Sequence, residues 1–196
     1  DINKIYVADH NVFGTLNNSD FSPAGWLLGL SSGDFVFTIA TGQAAASASV
    51  SGVPLGAGDL VIMCASYADR EPLRLLVNGL YGENATALGY FASDQPLTAG
   101  VNAQATDDAA VDFAIAGAFG SEDEGLDRDE LETLQATIED NLRHGRPLTR
   151  DVSIVSPDWY YDAADLAVDP SSWPERLGVG PALARTGAPG VVSVKG

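Results

Sequence analysis

The sequence predicts a mainly β domain, a sandwich or barrel of antiparallel strands with one helix laid on its surface. Three observations carry this. Short runs of β-branched, aromatic and small apolar residues recur through the first two-thirds of the chain, separated by clusters of Gly, Asn, Asp and Ser. One of these runs ends at Asn78-Gly79, the strongest short hairpin signal. A single apolar stripe at helical spacing then follows between residues 127 and 144.

The first clear strand is Phe35-Val36-Phe37-Thr38-Ile39-Ala40, entered through the turn residues Ser32-Gly33-Asp34. From Ala46 to Val53 small and polar residues alternate. Gly56-Ala57-Gly58-Asp59 reads as a turn into Leu60–Ala65, an apolar run that reads as buried throughout. Cys64 lies in that run as a small hydrophobe, and being the one cysteine it has no intrachain disulfide partner. Leu73-Arg74-Leu75-Leu76-Val77 leads into the Asn78-Gly79 turn. Ala87–Ala92 and Val111–Phe119 supply further strands, the latter with Val111, Phe113 and Ile115 on one face.

The helix has a start, a face and a stop. Asp127 caps it and Glu130 stands three residues on, in capping-box position. Leu131, Leu134, Ile138 and Leu142 form one narrow stripe, so the other faces meet water. Arg143 and His144 suit the negative end of the dipole, and Gly145 offers a left-handed stop before Pro147. After Thr149 the texture changes to an extended Pro- and Trp-rich tail over 150–196, set apart from the 1–149 domain. Trp159, Tyr160, Tyr161 and Trp173 must bury their area there, on their own chain or on a neighbour.

Composition narrows the function. Hydrophobic residues make up 45% and charged residues 19%, a globular balance. The net charge of -17, from 27 acidic and 10 basic residues with no basic stripe, repels nucleic acid and anionic membranes. No stretch reaches the about 18 apolar residues of a membrane span, and no signal-peptide pattern is present. The chain opens at Asp1 without methionine, which reads as a processed product or a piece of a longer chain. Catalytic signatures are missing from the residue pattern. His10 follows Asp9, but there is no G-x-S-x-G elbow to complete a triad. There is no Cys/His cluster for zinc. Glu122-Asp123-Glu124 lies in a Gly-flanked loop, with Asp127, Asp129, Glu130 and Glu132 on the helix. No strand therefore presents the paired carboxylates of a glycosidase.

Taken together, Gly58–Tyr67, Leu73–Gly79, Pro96-Leu97-Thr98-Ala99-Gly100, Phe113–Phe119 and Gly125–Leu134 resemble, in order and spacing, the concanavalin A-like, laminin-G-type jelly rolls of bacteriophage structural proteins and bacterial surface proteins. The likeness covers roughly residues 25–145. A second stretch, Trp159–Leu166 followed by Ser172–Gly178, resembles the opening of the same family, yet here it comes after the closing helix. The resemblance implies an antiparallel jelly-roll β-sandwich and a non-enzymatic role, as a structural or adhesion module of a virion or extracellular fibre. Its partners would be copies of itself or other structural subunits, with Trp159, Tyr160, Tyr161 and Trp173 of the tail in the contact. It implies as an alternative a carbohydrate-binding module facing a cell-surface glycan, with Trp26, Tyr81, Asn84 and Tyr90 as the stacking and hydroxyl-reading residues. No cofactor is implied except calcium, for which Asp107 and Asp108 are the candidates because laminin-G relatives hold that ion at a rim.

Overall fold

The computed structural model describes residues 10–15, 24–55, 59–89, 98–99, 117–121, 125–162, 165, 172–173, 176–177 and 183–184. The described chain is mainly β, with antiparallel sheets and one helix. It divides into two units. The first comprises 1–112 and 124–136, the second 113–123 and 137–196.

In the first unit, five strands form an antiparallel sheet: β1 (His10–Gly14), β2 (Gly25–Ser31), β3 (Asp34–Ala40), β4 (Ala45–Val50) and β8 (Thr98–Ala99), in the order β4-β3-β2-β1-β8. Ser32 and Gly33 join β2 to β3 with φ of 52° and 94°, the paired left-handed conformations of a type I′ turn. That turn fixes the register Ser31↔Asp34 through Gly25↔Ala40. Phe35, Phe37 and Ile39 then share a face with Val50, Ala48 and Ala46, and all six are buried. Of the alternation expected over 46–53, residues 46–50 fall in β4, where exposed Ser47 and Ser49 alternate with Ala46, Ala48 and Val50, while 51–53 lie outside the strand. On the opposite face Leu27, Ala40 and Val36 make a second small cluster, and Thr38 Oγ1 meets Ser47 Oγ at 2.7 Å across the strands.

A second antiparallel sheet is the meander β5 (Met63–Ser66), β6 (Leu73–Val77) and β7 (Leu80–Asn84). Its hairpin is the one marked by Asn78-Gly79, with φ of 46° and 83°. Asn78 does more than turn the chain. Its Oδ1 accepts from the Ile62 N–H at 2.8 Å and its Nδ2 donates to the Leu60 carbonyl at 2.9 Å. The backbone just ahead of β5 is thereby tied to the turn. The 60–65 run is not buried throughout, as the sequence suggested. Leu60 is 46% exposed, and from Val61 onward half-buried and buried residues alternate, because only one side of this edge segment meets the core. The strand expected at Ala87–Ala92 is also absent over 87–89, which are irregular, with Leu88 buried and accepting from Tyr67 Oη. Residues 90–92 lie outside the described residues.

The two sheets of this unit meet through β4, which runs against β6 and β7, while β3 also reaches β6. Gly82 shows how close they are. A Cβ added there would lie 2.0 Å from the Ser49 carbonyl oxygen. Asn84 Nδ2 donates to the Ser47 carbonyl at 2.8 Å beside it. Leu73, Leu75, Leu76 and Val77 are all completely buried, so β6 is covered on both of its faces.

The cover on the side of Leu76 and Cys64 is the helix α1 (Arg128–Arg143). Its capping box is reciprocal: the Glu130 N–H donates to Asp127 Oδ1 at 3.0 Å, and the Asp127 N–H donates to Glu130 Oε2 at 2.9 Å. Ser66 Oγ accepts from the Leu126 N–H at 2.6 Å and Arg74 donates to the Leu126 carbonyl, which pins the helix start to the sheet. Gln135, buried on the same side, accepts from the Gly79 N–H at 3.2 Å. Replacing Asp127 by alanine is expected to lower stability by about 1 kcal/mol, read as a fall in the urea midpoint at unchanged slope.

In the second unit, β9 (Gly117–Gly120) pairs antiparallel with β10 (Trp159–Asp162) in the register Gly117↔Asp162 through Gly120↔Trp159. β11 (Ser172–Trp173) pairs with β12 (Leu183–Ala184). Of the strand expected over 111–119, residues 111–116 lie outside the described residues, and 117–119 fall within β9. Ile138 and Asn141 are the buried residues that α1 brings to this unit. Gly145 ends the helix at φ 62°, and His144 Nδ1 donates back to the Asp140 carbonyl at 2.8 Å, satisfying one of the last helical carbonyls. Among the described residues no helix is long and apolar enough to cross a membrane.

Candidate functional site

Of the four residues named for glycan contact, three are described. Tyr90 lies outside the described residues, as do Asp107 and Asp108. Trp26 is a half-buried residue of β2 whose N–H donates to Thr15 Oγ1. Asn84 ends β7, with its amide spent on the Ser47 carbonyl and its Oδ1 accepting from the Thr86 N–H. Tyr81 sits three residues earlier on the same strand, and an odd spacing puts it on the opposite face. The structure therefore does not gather Trp26, Tyr81 and Asn84 into one patch.

Around Tyr81 there is a polar cluster that the sequence did not reveal. Its hydroxyl donates to Glu83 Oε2 at 2.5 Å, and the Arg128 guanidinium lies 5.0 Å from its ring centre. Arg74, directly across the ladder from Glu83, reaches Glu83 at 3.6 Å and Glu71 at 3.1 Å, while Arg128 pairs with Glu132 at 2.8 Å. The strands and helix place these groups: Arg74 and Glu83 are cross-strand neighbours, and Arg128 opens α1, whose start is tied to Ser66 and Arg74. Partial burial, then the bond to Glu83, pushes the Tyr81 hydroxyl up to about 12. Guanidinium and carboxylate groups beside an aromatic ring suit the reading of sugar hydroxyls, though one ring face already carries Arg128.

The tail aromatics form a second cluster, in the other unit. Tyr160 and Tyr161 are 3% and 1% exposed, enclosed by their own chain. Tyr161 stands 6.0 Å from Trp159, centre to centre, and a Cβ on the facing Gly120 would strike the Trp159 ring. Tyr160 Oη accepts from the Leu148 N–H at 3.3 Å and donates to Asp162 Oδ2 at 2.8 Å. Arg176 closes the cluster. It grips Asp165 with two bonds of 2.8 and 3.0 Å, reaches Asp162 at 3.1 Å, and donates its backbone N–H to the Tyr160 carbonyl. Arg176 bonding holds Asp165 below the usual carboxylate range, and burial pushes the Tyr160 hydroxyl up to about 12. Trp173 belongs to β11.

Burial pushes the Cys64 thiol up to about 12, far from the thiolate range that reactivity requires. Among the described residues no group of three or more His, Cys, Asp or Glu could hold a metal ion. These shifts set a pH dependence. Tyr81, Tyr160 and Cys64 bind protons more tightly folded than unfolded, so their contribution is complete below the unfolded values of 9 to 10 and is lost as pH rises toward about 12. Urea midpoints measured across that range should fall steadily, with tyrosinate absorbance appearing at the unfolding transition. Compared with protein-family models, curated proteins and solved structures, the chain matches none of them.

Proposed function

We propose that the chain is a non-enzymatic structural or adhesion module of a virion or extracellular fibre, a jelly-roll β-sandwich of the concanavalin/laminin-G kind that assembles through its sandwich and C-terminal tail. The observation that carries this reading is how the polar side chains are used. Arg74, Asn78, Asn84 and Arg176 join segments distant in sequence, and Asn141 ties the end of the helix to the segment that follows it, so these side chains serve the framework. Two antiparallel sheets in contact through β4, with a helix over the outer face of one, support the sandwich. The -17 charge favours a protein surface or glycan as partner over nucleic acid. In this reading the β9–β10 ladder is the intramolecular form of a contact that neighbouring copies exchange, which makes fibres or rings according to symmetry.

Electron microscopy and sedimentation velocity of the purified chain test the proposal. Rings, shells or filaments without added ligand are the expected result. A strict monomer at every concentration, together with saturable binding to one sugar class on a glycan array, overturns it in favour of a carbohydrate-binding module.

A further inference from the structure

We infer that Asn78-Gly79 is a latent site of spontaneous deamidation, held shut in the folded chain by Gln135 of the helix and by the 60–62 backbone. An Asn-Gly pair is chemically prone to this reaction because glycine puts no side chain in the way of its own nitrogen. The Gly79 backbone nitrogen, after losing its proton, attacks Asn78 Cγ. The bond from Cγ to the side-chain nitrogen breaks, that nitrogen leaves as ammonia, and a cyclic succinimide remains. Water then opens the ring to aspartate or isoaspartate. The net change is amide plus water to acid plus ammonia, with no oxidation or reduction.

Each reacting atom is restrained in this fold. The Gly79 N–H is engaged by Gln135 Oε1 at 3.2 Å, which disfavours the deprotonated nucleophile and fixes its direction. The Asn78 carboxamide is held at both ends, by the Ile62 N–H at 2.8 Å and the Leu60 carbonyl at 2.9 Å, so it cannot rotate to present Cγ. Water is not what is missing, since Asn78 and Gly79 are both exposed. Opening of these local bonds, not solvent access, therefore governs the rate. The product is incompatible with the site. A carboxylate has no N–H to donate to Leu60, and isoaspartate adds a main-chain atom to a two-residue turn that sets the Val77↔Leu80 register. The hairpin between β6 and β7 thus carries its own ageing chemistry, restrained while Gln135 of the helix and the 60–62 backbone hold it.

Incubation of the native chain and of the urea-unfolded chain at mildly alkaline pH, followed by peptide mass spectrometry of the segment holding Asn78, tests this. The native protein should retain the amide while the unfolded chain loses it. Gln135→Ala should deamidate about fivefold faster than wild type while folded, the effect of losing one ordinary hydrogen bond. Gln135→Glu, which keeps an acceptor for Gly79, should restore the wild-type rate. Equal rates in native and unfolded wild-type chain would overturn the inference without reference to any variant. So would a folded Gln135→Ala protein that deamidates no faster than wild type.

Discussion

Gly82→Ala should lower stability by about 3 kcal/mol, at the upper end of what one added methyl costs in a packed interior. The added Cβ would lie 2.0 Å from the Ser49 carbonyl oxygen and 3.1 Å from Val50 Cγ2. The first of these is backbone and cannot swing away as a flexible side chain does. Relief requires β7 to withdraw from β4, which breaks the bond from Asn84 to the Ser47 carbonyl and uncovers Leu73, Leu75 and Val77. Urea unfolding followed by tryptophan fluorescence measures the change. A loss below about 0.5 kcal/mol, the range of ordinary surface substitutions, would mean that the two sheets do not approach here.

The second large effect is expected at Asn141, which is 1% exposed at the end of α1. Its amide nitrogen donates to the Leu148 carbonyl at 3.2 Å and to the Arg150 carbonyl at 2.6 Å, so one side chain folds the 146–150 segment back on the helix. Leucine keeps the volume but removes both donors. Two carbonyls are then left without them, and Asn141→Leu should cost about 2–4 kcal/mol. The tail should feel this too, because the Leu148 N–H is held by Tyr160 Oη. A neutral Asn141→Leu would show that these carbonyls find other donors.

What could be read in the sequence was what is decided locally. The Asn78-Gly79 and Ser32-Gly33 turns depend on two residues each, and the capping box on Asp127 and Glu130, so short patterns carried them. Of the stripe Leu131, Leu134, Ile138 and Leu142, the first three are buried and Leu142 is half-buried. The sequence could not show that β9 pairs with β10, because about forty residues separate Phe119 from its partner Tyr160 and nothing nearby encodes the match. The polar residues that tie the helix to its neighbours within each unit were missed for the same reason. Gln135 and Asn141 sit within the helical stripe at apolar positions, and a polar residue there was the one available signal. Leu60 misled because a continuous apolar run gives no sign that one side of an edge segment faces water. Tyr81 was picked as an aromatic, but its relation to Glu83 and Arg74 appears only once β6 and β7 are in register.

In the structure the tail folds back on its own chain, with β9 paired to β10 before any assembly takes place. Hydrogen exchange read by mass spectrometry, on fractions that sedimentation shows to be monomeric, tests this directly. Amides of 117–120 and 159–162 should be protected in the monomer, because the β9–β10 ladder and the buried Tyr160 and Tyr161 belong to one chain. If those amides exchange at unfolded-chain rates in the monomer and gain protection only when copies associate, the ladder forms between chains and the single-chain pairing of β9 with β10 is contradicted.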